Sequence, residues 1–306
     1  MARRPPPKGE EQLDLFVAVF ADIPIRDQRD MMERPFFSLA KNPRLKPIEY
    51  QVGDVWVRVT ANADSGMATI WDADILIWAA TQLTEARDRG METSPILRFY
   101  PYELLKAIRR GTSGQDYRDL RSALTRLAGT LVRTNIRATG KRKTAVFHWL
   151  EGWSEIIDEA SQESRGMTIT LPQWLYHGVM QQGGVLTIHE DYFLLTGGLE
   201  RWLYRVARKH AGRQDAGWQF TMRQLYEKSG SLARFSDFAI DIRKIVKGDH
   251  LPEYALDMDR NEDREEVVYF TPRAALPPED PRSQPPRHPR RRVGRGIHST
   301  PLKLGE

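Results

Sequence analysis

Residues 115–126 carry side chains that can hydrogen-bond to the bases and phosphates of a nucleic acid. These polar residues are Gln115, Arg118, Arg121, Ser122, Thr125 and Arg126. Arginine can donate to two acceptors on the edge of guanine, and amides and hydroxyls both donate and accept hydrogen bonds. Apolar residues recur at helical spacing through the same stretch, at Tyr117, Leu120, Leu124 and Leu127. The stretch therefore predicts a helix that buries one face and presents arginines on the other.

The elements predicted around this helix are those of a module that reads DNA. A helix over residues 101–108 precedes it and ends near Gly111, where a four-residue turn begins. Two strands are predicted after it, over residues 131–136 and 145–150. The turn between these strands is basic and contains Lys141, Arg142 and Lys143. Helix, short turn, helix and hairpin form the outline of a winged helix, whose second helix enters the major groove while the hairpin contacts the backbone or the minor groove.

A second copy of this pattern lies toward the C-terminus. Four apolar residues repeat the spacing of the first helix at a constant offset of 118 residues, namely Phe235, Phe238, Ile242 and Ile245. A helix over residues 220–227, followed by Gly230, precedes them, and strands are predicted over residues 254–258 and 266–270. We interpret the repeat as an internal duplication and expect tandem winged-helix domains.

The polar face of the second copy is less uniform than that of the first. Its candidate DNA contacts are Arg234, Ser236, Arg243, Lys244 and Lys247. Asp237 and Asp241 lie among them, and the turn at residues 259–263 is acidic where phosphates would repel it. We expect the helix to contact DNA and the turn to stay away from phosphates. The sequence leaves open whether this copy reads DNA directly or serves partly to contact protein.

The remaining segments are predicted to support these two modules. Short strands at residues 35–39, 48–50 and 55–59 and an amphipathic helix over residues 71–89 open the fold. The predicted fold class is α+β. The predicted organisation is a loose N-terminal segment at 1–29, winged-helix domains at 30–160 and 161–272, and a disordered basic tail at 273–306. Proline and arginine dominate that tail, so it buries too little apolar surface to fold.

Composition and charge exclude several classes of protein. The chain has 306 residues, 40% of them hydrophobic, and its apolar runs are too short to cross a membrane, so we predict a soluble cytoplasmic protein. It contains no cysteine, which excludes disulfides and thiolate chemistry. Basic blocks at residues 101–143 and 199–247 alternate with acidic stretches at 144–198 and 249–272. This alternation favours two surfaces that face a polyanion.

No arrangement of residues in the sequence indicates catalysis. The phosphate-binding pattern Gly-x-x-x-x-Gly-Lys is absent, and the histidines form no pair at metal-ligand spacing. The run His189-Glu190-Asp191 is predicted to be a polar strand end. Asp72 and Asp74 fall at the start of a predicted helix, where carboxylates cap the helix and balance its dipole. We therefore predict no enzyme activity, no cofactor and no metal.

A set of sequence runs indicates the family to which the chain is related. The longest is GMATIWDADILIW at residues 66–78, preceded by LAKNP at 39–43 and PIEY at 47–50. Further runs are GTSGQDY at 111–117, FHW at 147–149, ERWLYR at 200–205 and WQF at 218–220. Over about residues 30–272 the chain resembles the replication initiator protein A family of bacterial plasmids. The acidic second turn departs from what a protein with two DNA-reading modules is expected to show.

The resemblance implies an initiator of plasmid replication that binds repeats in double-stranded origin DNA and helps to recruit host replication proteins, such as the host initiator or helicase. It implies no catalytic residues. The sequence leaves a homodimer open and indicates no membrane partner. Two other functions stay open, a winged-helix transcription regulator and a single-stranded DNA-binding protein. For the latter, aromatic and basic contacts would come from Tyr204, Arg205, Trp218 and Tyr226.

Overall fold

The structure is a computed structural model and describes residues 15–137, 144–160, 164–212, 214–284 and 286. Helices and strands alternate through all of these segments, so the predicted mixture of α and β structure is confirmed. The strands form three sheets of three or four strands each and one two-stranded ribbon within the described residues.

The first half of the chain contains ten strands and four helices within the described residues. In chain order they are β1 (Phe16–Val17), β2 (Arg26–Gln28), β3 (Ile48–Val52), β4 (Val55–Thr60), α1 (Ala73–Asp88), β5 (Ile96–Phe99), α2 (Pro101–Ala107), α3 (Gly114–Gly129), β6 (Leu131–Thr134), β7 (Ala145–His148), β8 (Gly152–Ile157), β9 (Ser164–Thr170), α4 (Gln173–Met180) and β10 (Val185–Thr187). The second half comprises α5 (Gly198–His210), β11 (Trp218–Thr221), α6 (Met222–Ser229), α7 (Phe235–Gly248), β12 (Tyr254–Arg260) and β13 (Glu266–Pro272).

Local sequence explains where α2 and α3 begin. Pro101 occupies the first turn of α2, where its missing N–H has no helical partner to lose. Ser113 caps α3 by accepting from the N–H of Asp116, and the Asp116 carboxylate accepts from Ser113 in return. The apolar residues of α3 are buried as the sequence predicts, including Leu120, Leu124 and Leu127 at 0% exposure. These residues pack toward an antiparallel sheet of order β3-β4-β6-β7, in which β6 and β7 form the hairpin that follows α3.

The second half repeats the order of two helices followed by an antiparallel hairpin. Thr221 and Gln224 form a capping box at the start of α6, and Gly230 ends that helix with a φ of 60°, which favours glycine. In α7, Phe238 and Ile242 are buried as predicted. The sheet has the order β11-β13-β12. Both predicted hairpins are present, and their strands match the predicted ranges to within a few residues.

The predicted boundary between residues 160 and 161 does not separate the two halves. β9 pairs with β5 and β8 in a sheet of order β1-β5-β9-β8, and β10 pairs with β2. β9 and β10 fall within the predicted second domain, 161–272, but the strands to which they hydrogen-bond all precede residue 161. The first half therefore extends at least to Thr187. Residues 35–39, predicted as a strand, form only an isolated bridge between Ser38 and Thr69.

The two ends of the fold also differ from the prediction. Residues 15–29, predicted to be loose, include β1 and β2, and Asp27 is fully buried. At the other end, residues 273–284 form two short 3-10 turns rather than a disordered segment. Arg273 is 4% exposed because its guanidinium pairs with Asp249 at 3.0 Å and donates to the carbonyl of Leu251 at 3.1 Å. The rest of the predicted tail, apart from Pro286, lies outside the described residues.

Buried ion pairs join the two halves through α5. Arg205 donates to both carboxylate oxygens of Asp27, at 2.7 and 3.1 Å. Near the end of α5, Glu33 accepts from His210 at 2.6 Å and also pairs with three cationic side chains. Those three are Arg34, Lys209 and Lys228, at 3.0, 3.0 and 3.2 Å. The N-terminal segment thus contacts α5 and α6 directly, and the halves share one continuous hydrophobic core.

Candidate nucleic-acid interface

The exposed face of α3 carries four of the predicted DNA contacts. Gln115, Arg118, Ser122 and Thr125 are all exposed and lie on the side of the helix away from the core. The Arg118 guanidinium donates to the Gln115 Oε1 atom at 2.8 and 3.2 Å. This contact spans one turn of the helix and holds the two side chains together at its start. The face offers several donors and acceptors without any apolar residue between them.

Two further arginines of α3 are held by carboxylates instead of lying free. Arg121 donates to both carboxylate oxygens of Glu155 on β8, at 2.7 and 3.0 Å, and its side chain keeps 38% exposure. Burial alone would raise the pKa of Glu155, but hydrogen bonds from Arg121 and Ser164 outweigh it and hold that pKa below its usual value. The pair fixes the direction of the Arg121 guanidinium while leaving part of it in solvent.

Arg126 is directed into the protein. It donates to both carboxylate oxygens of Asp72 at 2.8 and 2.7 Å, and the Asp72 side chain is only 2% exposed. This contact differs from the sequence expectation for both residues. Asp72 was expected to cap α1, but its side chain makes no capping hydrogen bond within the helix and accepts from the Thr69 N–H and from Arg126. Arg126 therefore ties α3 to the start of α1.

The basic turn at Lys141, Arg142 and Lys143 lies outside the described residues. Its N-terminal approach is described as far as Arg137, whose guanidinium carbon lies 3.7 Å from the centroid of the Trp174 ring. Arg137 also pairs with Asp30 at 2.8 Å, and Trp174 donates its indole N–H to the carbonyl of Ile136 at 3.2 Å. These contacts hold the approach to the turn against α4.

The candidate residues of α7 are all exposed, but several of their charges are partly neutralised. They are Arg234, Ser236, Arg243, Lys244 and Lys247. Arg243 donates to both carboxylate oxygens of Glu266 at 2.9 and 2.7 Å, and Lys244 pairs with Asp241 at 3.3 Å. Arg234 and Lys247 form no ion pair with any residue that the structure describes. The face of α7 is therefore less cationic than its sequence suggests.

The aromatic groove expected of a single-stranded DNA-binding protein is not formed by the residues named for it. Tyr204 and Arg205 are buried, at 0% and 1% exposure. Tyr226 packs edge-to-face against Phe235 in the second half. Among the four residues only Trp218 is exposed, at 43%. Stacking of successive bases requires several exposed rings in a row, so these four residues do not provide such a platform.

A cleft of about 950 Å³ lies beside α3, between the start of α1 and the loop before α5. Its most buried charged residues are paired with each other across the cleft, since Asp74 accepts from Arg201 at 2.7 Å and Asp72 accepts from Arg126. No group of three or more histidine, aspartate or glutamate residues that could hold a metal ion occurs in the described part of the chain. None of the described helices is long and apolar enough to cross a membrane.

Sequence reasoning missed the carboxylates that position α3. No local pattern in the sequence distinguishes Glu155. Its role becomes visible only in the folded chain, where it accepts hydrogen bonds from Arg121. Asp72 was identified, but as a helix cap. Two tryptophans in the runs that carry the family resemblance are core residues, since Trp149 stacks with Phe37 at 4.7 Å between ring centroids and Trp202 is 2% exposed.

Comparison with known proteins agrees with the sequence resemblance. The sequence model of the family described as "Replication initiator protein A" matches residues 26–256, which is most of the chain. The chain belongs to this family. Among its relatives is a protein of Wigglesworthia glossinidia brevipalpis described as a "Putative replication protein". The two are 32% identical over 252 residues, which cover 81% of this chain and 90% of that protein.

Two solved structures resemble the fold of this family member. One crystal structure of domains 2 and 3 of RctB superposes with a TM-score of 0.58 at 12% identity, covering 77% of this chain and 94% of that one. A second crystal structure of RctB domains 2 and 3 has a TM-score of 0.50 at 12% identity, covering 80% and 97%. The similarity therefore spans both halves and concerns the fold.

Proposed function

We propose that this member of the replication initiator protein A family is a cytoplasmic, non-catalytic plasmid replication initiator that binds repeats in double-stranded origin DNA. The observation that supports it best is the exposed face of α3. Gln115, Arg118, Ser122 and Thr125 form a polar surface the width of a single helix, which is the size that the major groove admits.

In this proposal each half supplies one winged-helix module. The first consists of α2, α3 and the β6–β7 hairpin, and the second of α6, α7 and the β12–β13 hairpin. α3 and α7 are the recognition helices, since each follows a short turn and precedes a hairpin. The basic turn at residues 141–143 contacts phosphates beside the groove that α3 occupies.

The two modules have unequal roles in DNA binding. Among the described residues Arg118 of α3 forms no ion pair and bonds only to its neighbour Gln115, whereas Arg243 and Lys244 of α7 are engaged by Glu266 and Asp241. We assign sequence reading chiefly to α3. α7 adds a weaker DNA contact through Arg234 and Lys247, and its module is the one that faces a host initiator or helicase.

Arg118 provides the most direct test. Arg118→Ala should weaken binding to an origin duplex by about 1–3 kcal/mol and relax its base preference, because alanine cannot make the bidentate hydrogen bonds of arginine to a base. Fluorescence anisotropy with origin repeats and with single-base variants of them measures both effects. Arg165→Ala, which removes an exposed arginine from β9, is the matched control and should change neither. An unchanged base preference for Arg118→Ala would show that α3 does not read the DNA.

The same variant separates an initiator from the other two functions. If the protein starts replication, Arg118→Ala should reduce maintenance of a plasmid that carries the origin, while Arg165→Ala should not. A transcription regulator would lose duplex binding without losing plasmid maintenance. A single-stranded DNA-binding protein would prefer either separated strand of the repeat to the duplex at equal salt, in contrast to the duplex preference that groove reading requires.

A further inference from the structure

The sheet of the second half has an outer face on which none of the described α-helices packs. Leu256, Val268 and Phe270 of this sheet belong to the hydrophobic core. Residues that alternate with them lie on the opposite face, where Asp257, Tyr269 and Gln219 form one row across β12, β13 and β11. A groove of about 610 Å³ runs over this outer face and is lined in part by Gln219, Tyr269 and Thr271.

The chain returns to this outer face after β13. Arg273 is fixed against Asp249, and the 3-10 turn at Pro281–Ser283 then brings Arg282 onto β12. Arg282 donates to both carboxylate oxygens of Asp257, at 2.9 and 2.8 Å, and is braced by Asp280 at 2.9 Å. The described part of the fold therefore leads into the C-terminal residues from a point beside the groove.

The charges of the face and of the residues that follow are opposite. Four exposed acids lie around the hairpin tip and form no ion pair with a described residue, namely Asp259, Glu262, Asp263 and Glu265. The tip also carries two exposed arginines, Arg260 and Arg264, so its acids outnumber its basic residues by two to one. Residues 285–306 contain one acid, Glu306, and six basic residues, which are Arg287, Arg290, Arg291, Arg292, Arg295 and Lys303. The hairpin tip is four residues beyond Asp257, or about 13 Å along a strand. The C-terminal residues are long enough to cover that distance.

We propose that residues 285–306 bind back onto this outer face, along the groove and the acidic rim of the β12–β13 hairpin. Arg282, which precedes this segment, already pairs with Asp257, and the arginines at 290–292 continue the same pairing toward the tip. The acidic hairpin then serves as an internal substitute for a phosphate backbone. The acidic turn at residues 259–263 does not suit a wing that contacts DNA. In this proposal it has a different role, which is to keep the basic tail from binding DNA non-specifically.

A spin label on the tail tests this contact directly in the full-length protein. The chain has no cysteine, so Ser299→Cys gives a single attachment site for a nitroxide. In ¹⁵N-labelled protein at low salt, we expect the amide signals of residues 257–265 to broaden relative to the reduced label. Broadening should fall when the salt is raised toward 1 M, where the screening length is about 3 Å. It should also fall in the variant Glu262→Gln/Asp263→Asn/Glu265→Gln.

Two results would overturn the proposal. One is the absence of broadening at the hairpin. The other is broadening that also appears when spin-labelled protein without ¹⁵N is mixed with ¹⁵N-labelled protein without a nitroxide, which would assign the contact to a second copy of the chain. Neither result depends on DNA, so this test stands whether or not the proposed function is correct.

The functional consequence rests on the proposed DNA binding and is measured with a random duplex. The tail variant Arg290→Gln/Arg291→Gln/Arg292→Gln should weaken binding only slightly in the wild-type background, where the hairpin already holds the tail. In the hairpin variant the same tail substitutions should weaken binding severalfold and reduce the salt slope by about one unit for each phosphate that the tail no longer neutralises. A control variant with the same change of charge elsewhere, Asp64→Asn/Asp88→Asn/Glu92→Gln, should behave as wild type. If the tail substitutions reduce affinity equally in wild type, in the hairpin variant and in the control variant, the hairpin does not hold the tail.

Discussion

Arg201 on α5 donates a hydrogen bond of 2.7 Å to Asp74 on α1, and both side chains are almost fully buried, at 4% and 1% exposure. Arg201 also donates to the carbonyls of Leu195 and Phe193, at 2.7 and 3.0 Å. Arg110 pairs with the second oxygen of Asp74 at 3.2 Å. Because this pair is buried and each oxygen of Asp74 is paired with an arginine, it holds the second half of the fold against α1.

Breaking this pair should destabilise the whole chain. Arg201→Met removes the charge but keeps much of the volume, and it leaves Asp74 buried with Arg110 as its remaining ionic partner. We expect a loss of about 3–5 kcal/mol in the free energy of unfolding. Urea unfolding followed by circular dichroism measures it. Arg89→Ala, which removes an exposed arginine paired with Glu85, should cost less than about 1 kcal/mol, and an equally small cost for Arg201→Met would contradict this assignment.

Arg126 should contribute to stability rather than to sequence reading. Arg126→Ala leaves the buried Asp72 carboxylate without its ionic partner, so we expect a loss of about 2–3 kcal/mol, reduced from the fully buried case because Arg126 keeps 26% exposure. Thr125→Ala, at the neighbouring exposed position, should cost less than about 1 kcal/mol. Below its melting temperature, the Arg126→Ala protein should keep the base preference of wild type. If Arg126→Ala instead relaxed the base preference and left the free energy of unfolding unchanged, Arg126 would be a DNA-contacting residue.

Glu33 should make stability depend on pH. Burial alone would raise its pKa, but the hydrogen bond with His210 and the charges of Lys209, Arg34 and Lys228 outweigh burial and hold the pKa well below its usual value. A carboxylate with a lowered pKa stabilises the fold above its unfolded pKa of about 4.3 and loses that contribution as the pH falls below it. Glu33→Gln should therefore cost about 2–3 kcal/mol at pH 7 and at pH 5, and less at pH 3.

Urea unfolding at these three pH values checks the prediction for Glu33. Glu49→Gln, which affects an exposed pair with Arg58 at 3.5 Å, serves as the control and should cost less than about 1 kcal/mol at each pH. A difference between wild type and Glu33→Gln that is the same at pH 3 and pH 7 would mean that the charge of Glu33 does not stabilise the fold.

The folded part of the chain should extend past the predicted start of the tail. A chain that ends at Gln284 keeps the contacts of Arg273 with Asp249 and of Arg282 with Asp257. We expect it to melt close to the temperature of the full chain, whereas a chain that ends at Pro272 should melt several degrees lower because Asp249 loses its partner. Differential scanning calorimetry of the three chains distinguishes these cases. Equal melting temperatures for all three chains would support the boundary at residue 273 that composition predicts.

Helical periodicity was enough to locate α3 and α7, because their apolar residues repeat at short range and Gly111 and Gly230 mark the ends of the helices before them. Composition misplaced the C-terminal boundary for the opposite reason. Residues 273–284 are rich in proline, and what orders them is the pairing of two arginines with carboxylates elsewhere in the fold. Those partners depend on tertiary structure, and no local pattern indicates them.

The candidate interface was predictable by residue type but not by side-chain direction. Six polar residues of α3 look equivalent in the sequence, yet Arg126 reaches Asp72, which precedes it by 54 residues, and Arg121 reaches Glu155 on β8. An arginine can extend along a helix surface in several directions, so the position of its Cα does not decide whether it faces solvent or a carboxylate. The boundary at residue 160 was not predictable for a similar reason, because β9 pairs with β5 and β10 pairs with β2, and both of these partners lie far back in the sequence.

The placement of β2 has a consequence for how the protein forms during synthesis. The ion pair of Asp27 cannot form until Arg205, which is 178 residues further along the chain, has been synthesised. At about 5–20 residues per second, the ribosome needs roughly 10–35 s to make the intervening stretch. During that time β2 also lacks β10, and Glu33 lacks Lys209 and His210. The N-terminal segment therefore completes its contacts late, and a nascent chain released before β10 emerges would expose β2 as an unpaired edge that favours aggregation.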